Sequence, residues 1–153
     1  MRIKRLTLSI VIIAVICPNL FFGRSLAQSR GKPIKVEKVW DGEIRLALRR
    51  QAPPKGFIAN EKAWAKLWMA YHGNDELPKI DFDKQMILVV VSGDPNNIVY
   101  DPRGLILNKR GDLSVFYYTT LMGFTNPETC KYIFMLISRK GVKSISGIPV
   151  PKG

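Results

Sequence analysis

Reactive side chains are scarce in this chain, which has two cysteines and one histidine among 153 residues. Cys17 lies in an apolar N-terminal segment, so Cys130 has no partner for an intramolecular disulfide and the fold must rest on its core. Cys130 reads as a buried thiol, with pairing between molecules as the alternative. One histidine, His72, excludes a multi-histidine metal site. A thiol-imidazole pair of Cys130 with His72 would generate a reactive thiolate, but no local signature accompanies it. There is no G-x-S-x-G elbow, no G-x-x-x-x-G-K phosphate loop and no dinucleotide G-x-G-x-x-G. Asp94-Pro95-Asn96 begins like a calcium loop, yet Ile98 occupies the third ligand position. The sequence therefore nominates no catalytic residue, no metal ligand and no cofactor. Acidic residues are also few, at 12 against 24 Lys and Arg, for a net charge of +12.

The N-terminus is distinctive. Met1-Arg2-Ile3-Lys4-Arg5, a largely apolar run from Leu6 to Phe22, and Ser25-Leu26-Ala27 match the basic, apolar and small-residue zones of a secretory signal peptide. Residues 1–27 are expected to be a signal cleaved after Ala27, giving an exported, periplasmic or extracellular protein. Retention as a membrane anchor and lipidation at Cys17 are the alternatives, and only they would attach the chain to a membrane. Losing Arg2, Lys4, Arg5 and Arg24 leaves +8, of which +5 lies between Gln28 and Lys55. Lys35, Lys38, Arg45, Arg49 and Arg50 are the candidates there for binding an anionic envelope polymer; nucleic acid is not expected.

After a short basic linker at 28–33, residues 34–153 form one domain in this reading. Ile44, Leu46 and Leu48 alternate with polar neighbours and predict a strand over Glu43–Arg49, stopped by Pro53-Pro54-Lys55-Gly56. Asn60 caps a helix from Glu61 to His72, and Gly73 closes it. Trp64, Leu67, Trp68 and Tyr71 form its apolar stripe. Met86–Val91 is an unbroken apolar run, the pattern of a central strand buried on both faces. Leu105–Leu107 and Leu113–Thr120 flank Asn108–Asp112 as a hairpin, Lys131–Ser138 is a strand with two apolar faces, and Val142–Ile148 is a short last strand. The class is α+β: a mainly antiparallel β-sheet with one amphipathic helix packed on it.

Trp40, Tyr117 and Tyr118 are candidates for an exposed partner-binding aromatic patch. Asp81, with Asp94 or Asp101, is the carboxylate set an extracytoplasmic hydrolase would need if acids converged in the fold.

Phe57-Ile58, then Trp64-Ala65-Lys66-Leu67-Trp68, Leu77-Pro78-Lys79-Ile80-Asp81-Phe82 and Met86–Val91, occur in an order that resembles the C-terminal domain of the bacterial PrcB-type protease-complex subunit family. The similarity covers roughly residues 56–95. Gly93-Asp94-Pro95-Asn96-Asn97 stands where that family often has a glycine-rich stretch. The resemblance implies an exported, non-catalytic partner of a surface protease, with no catalytic residues to carry over. The expected function is thus a binding or protein-interaction domain of the envelope, with a hydrolase or a polyanion-binding module as alternatives.

Overall fold

The computed structural model describes residues 31–92, 97–120 and 128–151. The signal segment, the first half of the linker, Asp94 and residues 121–127 lie outside them. The described residues form three layers, a helix, a four-stranded sheet and a five-stranded sheet.

The middle layer orders its strands β2 (Val36–Arg45), β7 (Thr129–Ser138), β4 (Gln85–Val91) and β3 (Phe57–Ile58), all antiparallel. Its two central strands are apolar on both faces because both faces are covered. Ile87, Val89, Cys130, Tyr132, Phe134 and Leu136 point to the helix. Met86, Leu88, Val90, Ile133, Met135 and Ile137 point to the second sheet. The period of two in the sequence thus feeds two separate cores.

Helix α1 (Glu61–His72) has the predicted limits. Asn60 Oδ1 accepts from Ala63 N–H at 2.9 Å, and Gly73, at φ +64°, donates its N–H to Met69 C=O at 2.9 Å. Only a residue free of a β-carbon adopts that φ without strain. Trp64, Leu67 and Trp68 are buried against the middle sheet. Trp64 Nε1 donates to Pro78 C=O at 3.1 Å and Trp68 Nε1 to Asp75 C=O at 3.3 Å, so neither indole carries an orphaned donor into the core.

The outer sheet runs β1 (Lys32–Pro33), β5 (Asn97–Leu107), β6 (Asp112–Thr120), β8 (Ser144–Ile145) and β9 (Ile148–Pro149). Only the β6–β8 pairing is parallel. Leu105, Leu113 and Ile145 point inward and complete the second core.

The α+β class with mainly antiparallel pairing is present, but three expectations need correction. The expected strand over Glu43–Arg49 stops at Arg45. Leu46 N–H donates to Glu128 C=O, and Leu46–Gln51 then curls into a 3-10 helix that tucks Leu48 against the helix-side core. An alternation of Ile44, Leu46 and Leu48 over five residues fits either shape, and the contact from Glu128, distant in sequence, decides. The expected last strand over Val142–Ile148 is two two-residue strands joined at Ser146 (φ +47°) and Gly147 (φ +82°), a tight hairpin turn. The sheet is also two sheets rather than one, with β1 and β3 too short to leave a periodic signal.

Candidate functional site

Two places gather functional groups. The first lies at the C-terminal end of α1. His72 stacks on Trp68 with ring centroids 3.7 Å apart and 9° between planes. Its Nε2 meets the Tyr132 hydroxyl at 2.9 Å, and its Nδ1 lies 3.6 Å from Asp75 Oδ2. Gly42 on β2 makes room for this arrangement, since a β-carbon there would sit 2.9 Å from the Tyr132 hydroxyl oxygen. Burial lowers the His72 pKa against the opposing pull of Asp75 and favours neutral imidazole. Burial also raises Tyr132, and it pushes Tyr71 up to about 12, with smaller contributions from Cys130 and Tyr132. The Tyr71 hydroxyl is buried without a hydrogen-bond partner among the described residues.

Cys130 is buried, and burial raises its thiol pKa against the lowering influence of Arg49. That environment holds the thiol protonated, the reverse of what a nucleophile needs. His72 Nε2 is engaged by Tyr132, so the thiol-imidazole pair that the sequence left without a supporting signature is not what the histidine makes here.

The second place is a cleft of about 440 Å³ between the two sheets, within the roughly 300–1,000 Å³ range of small-molecule and peptide pockets. One wall is Leu88–Val91 of β4. The other is Val115 and Tyr117 of β6 with Ile145, Ser146 and Ile148 of the β8–β9 hairpin, and Arg49 with Ala52–Gly56 closes the end. Its lining contains two cationic side chains, Arg49 and Lys55, and no carboxylate. Asp112 fixes the hairpin wall. Its carboxylate accepts from Ser144 Oγ–H and from Gly147 N–H, bonds that lower the Asp112 pKa.

No protein-family model, curated protein or solved structure matches this chain.

The sequence candidates therefore stand on geometry alone. Trp40, a candidate for an exposed patch with Tyr117 and Tyr118, instead packs half-buried against Trp64 at 5.6 Å and Trp68 at 6.0 Å, on the helix side of the middle sheet. Tyr117 and Tyr118 are exposed on β6 in the outer sheet, so the three aromatics share no surface. Tyr117 faces the cleft, and by strand alternation Tyr118 shares the opposite face with Phe116, which is 56% exposed. Sequence reasoning missed Phe116, although continuing the Leu113, Val115, Tyr117 alternation assigns Phe116 and Tyr118 to the outside.

Lys35, Lys38, Arg45, Arg49 and Arg50 are all exposed but divide between the two ends of β2. Lys38 and Arg45 are separated by about 23 Å of extended chain, and Lys38 Nζ sits 4.9 Å over the Trp40 ring. Only Arg45, Arg49 and Arg50 remain near one another in sequence at the strand's end. Asp81 is ion-paired to Lys84 at 2.8 Å, which lowers its pKa, and it also accepts from Asp83 N–H at 3.2 Å. Its hypothetical partners, Asp94 and the Asp101 side chain, lie outside the described positions. Among the described residues no three His, Cys, Asp or Glu side chains converge on a metal-sized site, and no helix is long and apolar enough to cross a membrane.

Proposed function

We propose that this chain is an exported, non-catalytic protein-binding domain of the bacterial envelope. One observation carries the reading: β6 exposes aromatic side chains on both of its faces, Tyr117 towards the cleft and the pair Phe116 and Tyr118 on the outer face. Large aromatic side chains grouped on a surface commonly mark contact sites because their burial releases much water. The signal-like N-terminus supports the envelope setting, and the PrcB-like order of motifs suggests a surface protease as the partner. The test is capture from an envelope fraction by the full chain and by a Phe116→Ser/Tyr118→Ser variant. The wild type should retain a partner that the variant loses at least tenfold. Equal capture by both, or none above a bare-resin control, rejects the reading.

Arg45, Arg49 and Arg50 at the end of β2 favour a second reading, a polyanion-binding module. It predicts retention on heparin-like resin that falls with salt and is lost when these three are reversed to Glu; retention unchanged by the reversal refutes it.

A further inference from the structure

The backbone around the cleft is less complete than its side chains. β8 pairs with only Asp112 and Leu113 of β6, and the last bond on that side runs from Ser146 N–H to Leu113 C=O at 2.8 Å. Successive residues of a strand turn their backbone groups to opposite edges. Val115 and Tyr117 therefore direct N–H and C=O to the same side as Leu113, where no strand lies beside them among the described residues. The opposite edge of β6 is occupied by β5, from Leu107 back to Asn97. The middle sheet has a matching gap. Val89 N–H donates to Gly56 C=O at 2.8 Å, but the Pro53–Gly56 turn then leads the chain away and, among the described residues, Val91 has no strand on its outer side. Two open sheet edges thus border one apolar cleft.

Exposed edges with unpaired backbone groups are templates for another strand, and native proteins usually blunt them with a charge, a proline or a bulge. Between Val115 and Tyr118 the β6 strand itself carries no charge and no proline, only apolar and aromatic side chains; the one irregularity there lies in the β5 partner, between Tyr100 and Leu105, on the far edge. We infer that the open edge of β6 accepts an extended peptide strand from a partner protein, apolar at the positions that point into the cleft and carrying a carboxylate that meets Lys55. This rests on the binding reading above and gives it a site and a ligand chemistry. In this mode main-chain bonds supply affinity, and alternate side chains seated in pockets supply specificity. Leu88, Val90, Val115 and Ile148 form the apolar seat. Lys55 is exposed and makes no ion pair among the described residues. Charge selects the partner: the chain carries +12, or +8 without residues 1–27, so a second copy pairing edge to edge brings like charge together, whereas an acidic strand is attracted.

The probe is a nine-residue peptide of alternating threonine and valine, end-blocked, with glutamate replacing the first or the last valine. Its comparators carry lysine in place of glutamate, or N-methyl groups on alternate backbone amides. Binding to the full chain is read by fluorescence polarisation. At least one glutamate peptide should bind tenfold or more tighter than its lysine and N-methylated counterparts. Tyr117→Pro, which removes an outward N–H without touching a β5 bond, should weaken binding at least tenfold, and Lys55→Glu should reduce the glutamate preference at least threefold. N-methylation alters the ligand alone, so its result stands even if Tyr117→Pro misfolds. Equal binding by the N-methylated peptide, unchanged binding by folded Tyr117→Pro, or a wild-type dimer in sedimentation that Tyr117→Pro dissociates would each overturn the inference. If Tyr117→Pro still captures an envelope partner, the strand site fails while the binding reading survives; if the wild type binds neither peptide nor partner, both fail.

Discussion

Tyr71→Phe removes a hydroxyl that is buried with no hydrogen-bond partner among the described residues, on a ring stacked against Phe134 at 5.5 Å and edge-on to Tyr132 at 5.2 Å. An unsatisfied buried hydroxyl costs about 1–3 kcal/mol, because it surrenders its water bonds and receives nothing in return. Phenylalanine preserves both ring contacts. It leaves a void on the order of 15 Å³, which at about 24 cal/mol per Å³ costs roughly 0.4 kcal/mol. The substitution should therefore stabilise the fold by about 0.5–2.5 kcal/mol, raising Tm by about 3–5 °C per kcal/mol for a domain of this size. Urea unfolding followed by circular dichroism and tryptophan fluorescence measures it. A second signature appears at high pH. The Tyr71 pKa is raised from 10 to about 12, so the folded state prefers neutral phenol, and stability falls as pH rises from 10 towards 12. Tyr71→Phe should lose part of that alkaline slope. A variant less stable than wild type by more than 0.5 kcal/mol, with the slope intact, would show that the hydroxyl makes a stabilising bond and would refute the reasoning.

Three further outcomes follow from the same contacts. The His72 pKa is lowered from 6.5, so its contribution is whole above pH 6.5 and is lost as pH falls through the lowered value; His72→Gln should flatten that part of a stability profile between pH 7 and 5. Gly42→Ala puts a β-carbon against the Tyr132 hydroxyl and ring, and should cost about 1–3 kcal/mol while moving the His72 titration seen by NMR; an unmoved titration would separate His72 from Tyr132. Cys130 should resist maleimide in the native protein and react only as fast as the chain unfolds, so labelling at the rate of a free peptide thiol would contradict its burial.

What the sequence made legible was whatever a local rule controls. The Asn60 cap, the Gly73 stop and the stripe Trp64, Leu67, Trp68 determine α1 with no help from elsewhere. The unbroken run Met86–Val91 and the doubly apolar Lys131–Ser138 announced the middle sheet. Contacts between distant segments were not legible. Glu128 ends β2 at Arg45, and the turn at Ser146-Gly147 divides the last strand. Trp40 is drawn off the surface by Trp64 and Trp68, residues more than twenty positions away. The candidate site was partly visible, since Tyr117 lines it, but the open edge of β6 depends on how far β8 reaches, a quantity no single segment encodes.

That reach is short because Asp112 ties down a hairpin that reverses directly after Ile145. β8 runs parallel to β6, so about four more residues of straight chain before the turn would extend it past Val115 and Tyr117. The domain would then seal its own seam and present a finished flank to its surroundings. The place where two residues, Ser146 and Gly147, bend the chain therefore acts as a length stop. Moving it by a few positions would convert an open sheet edge into a paired one while leaving both cores untouched.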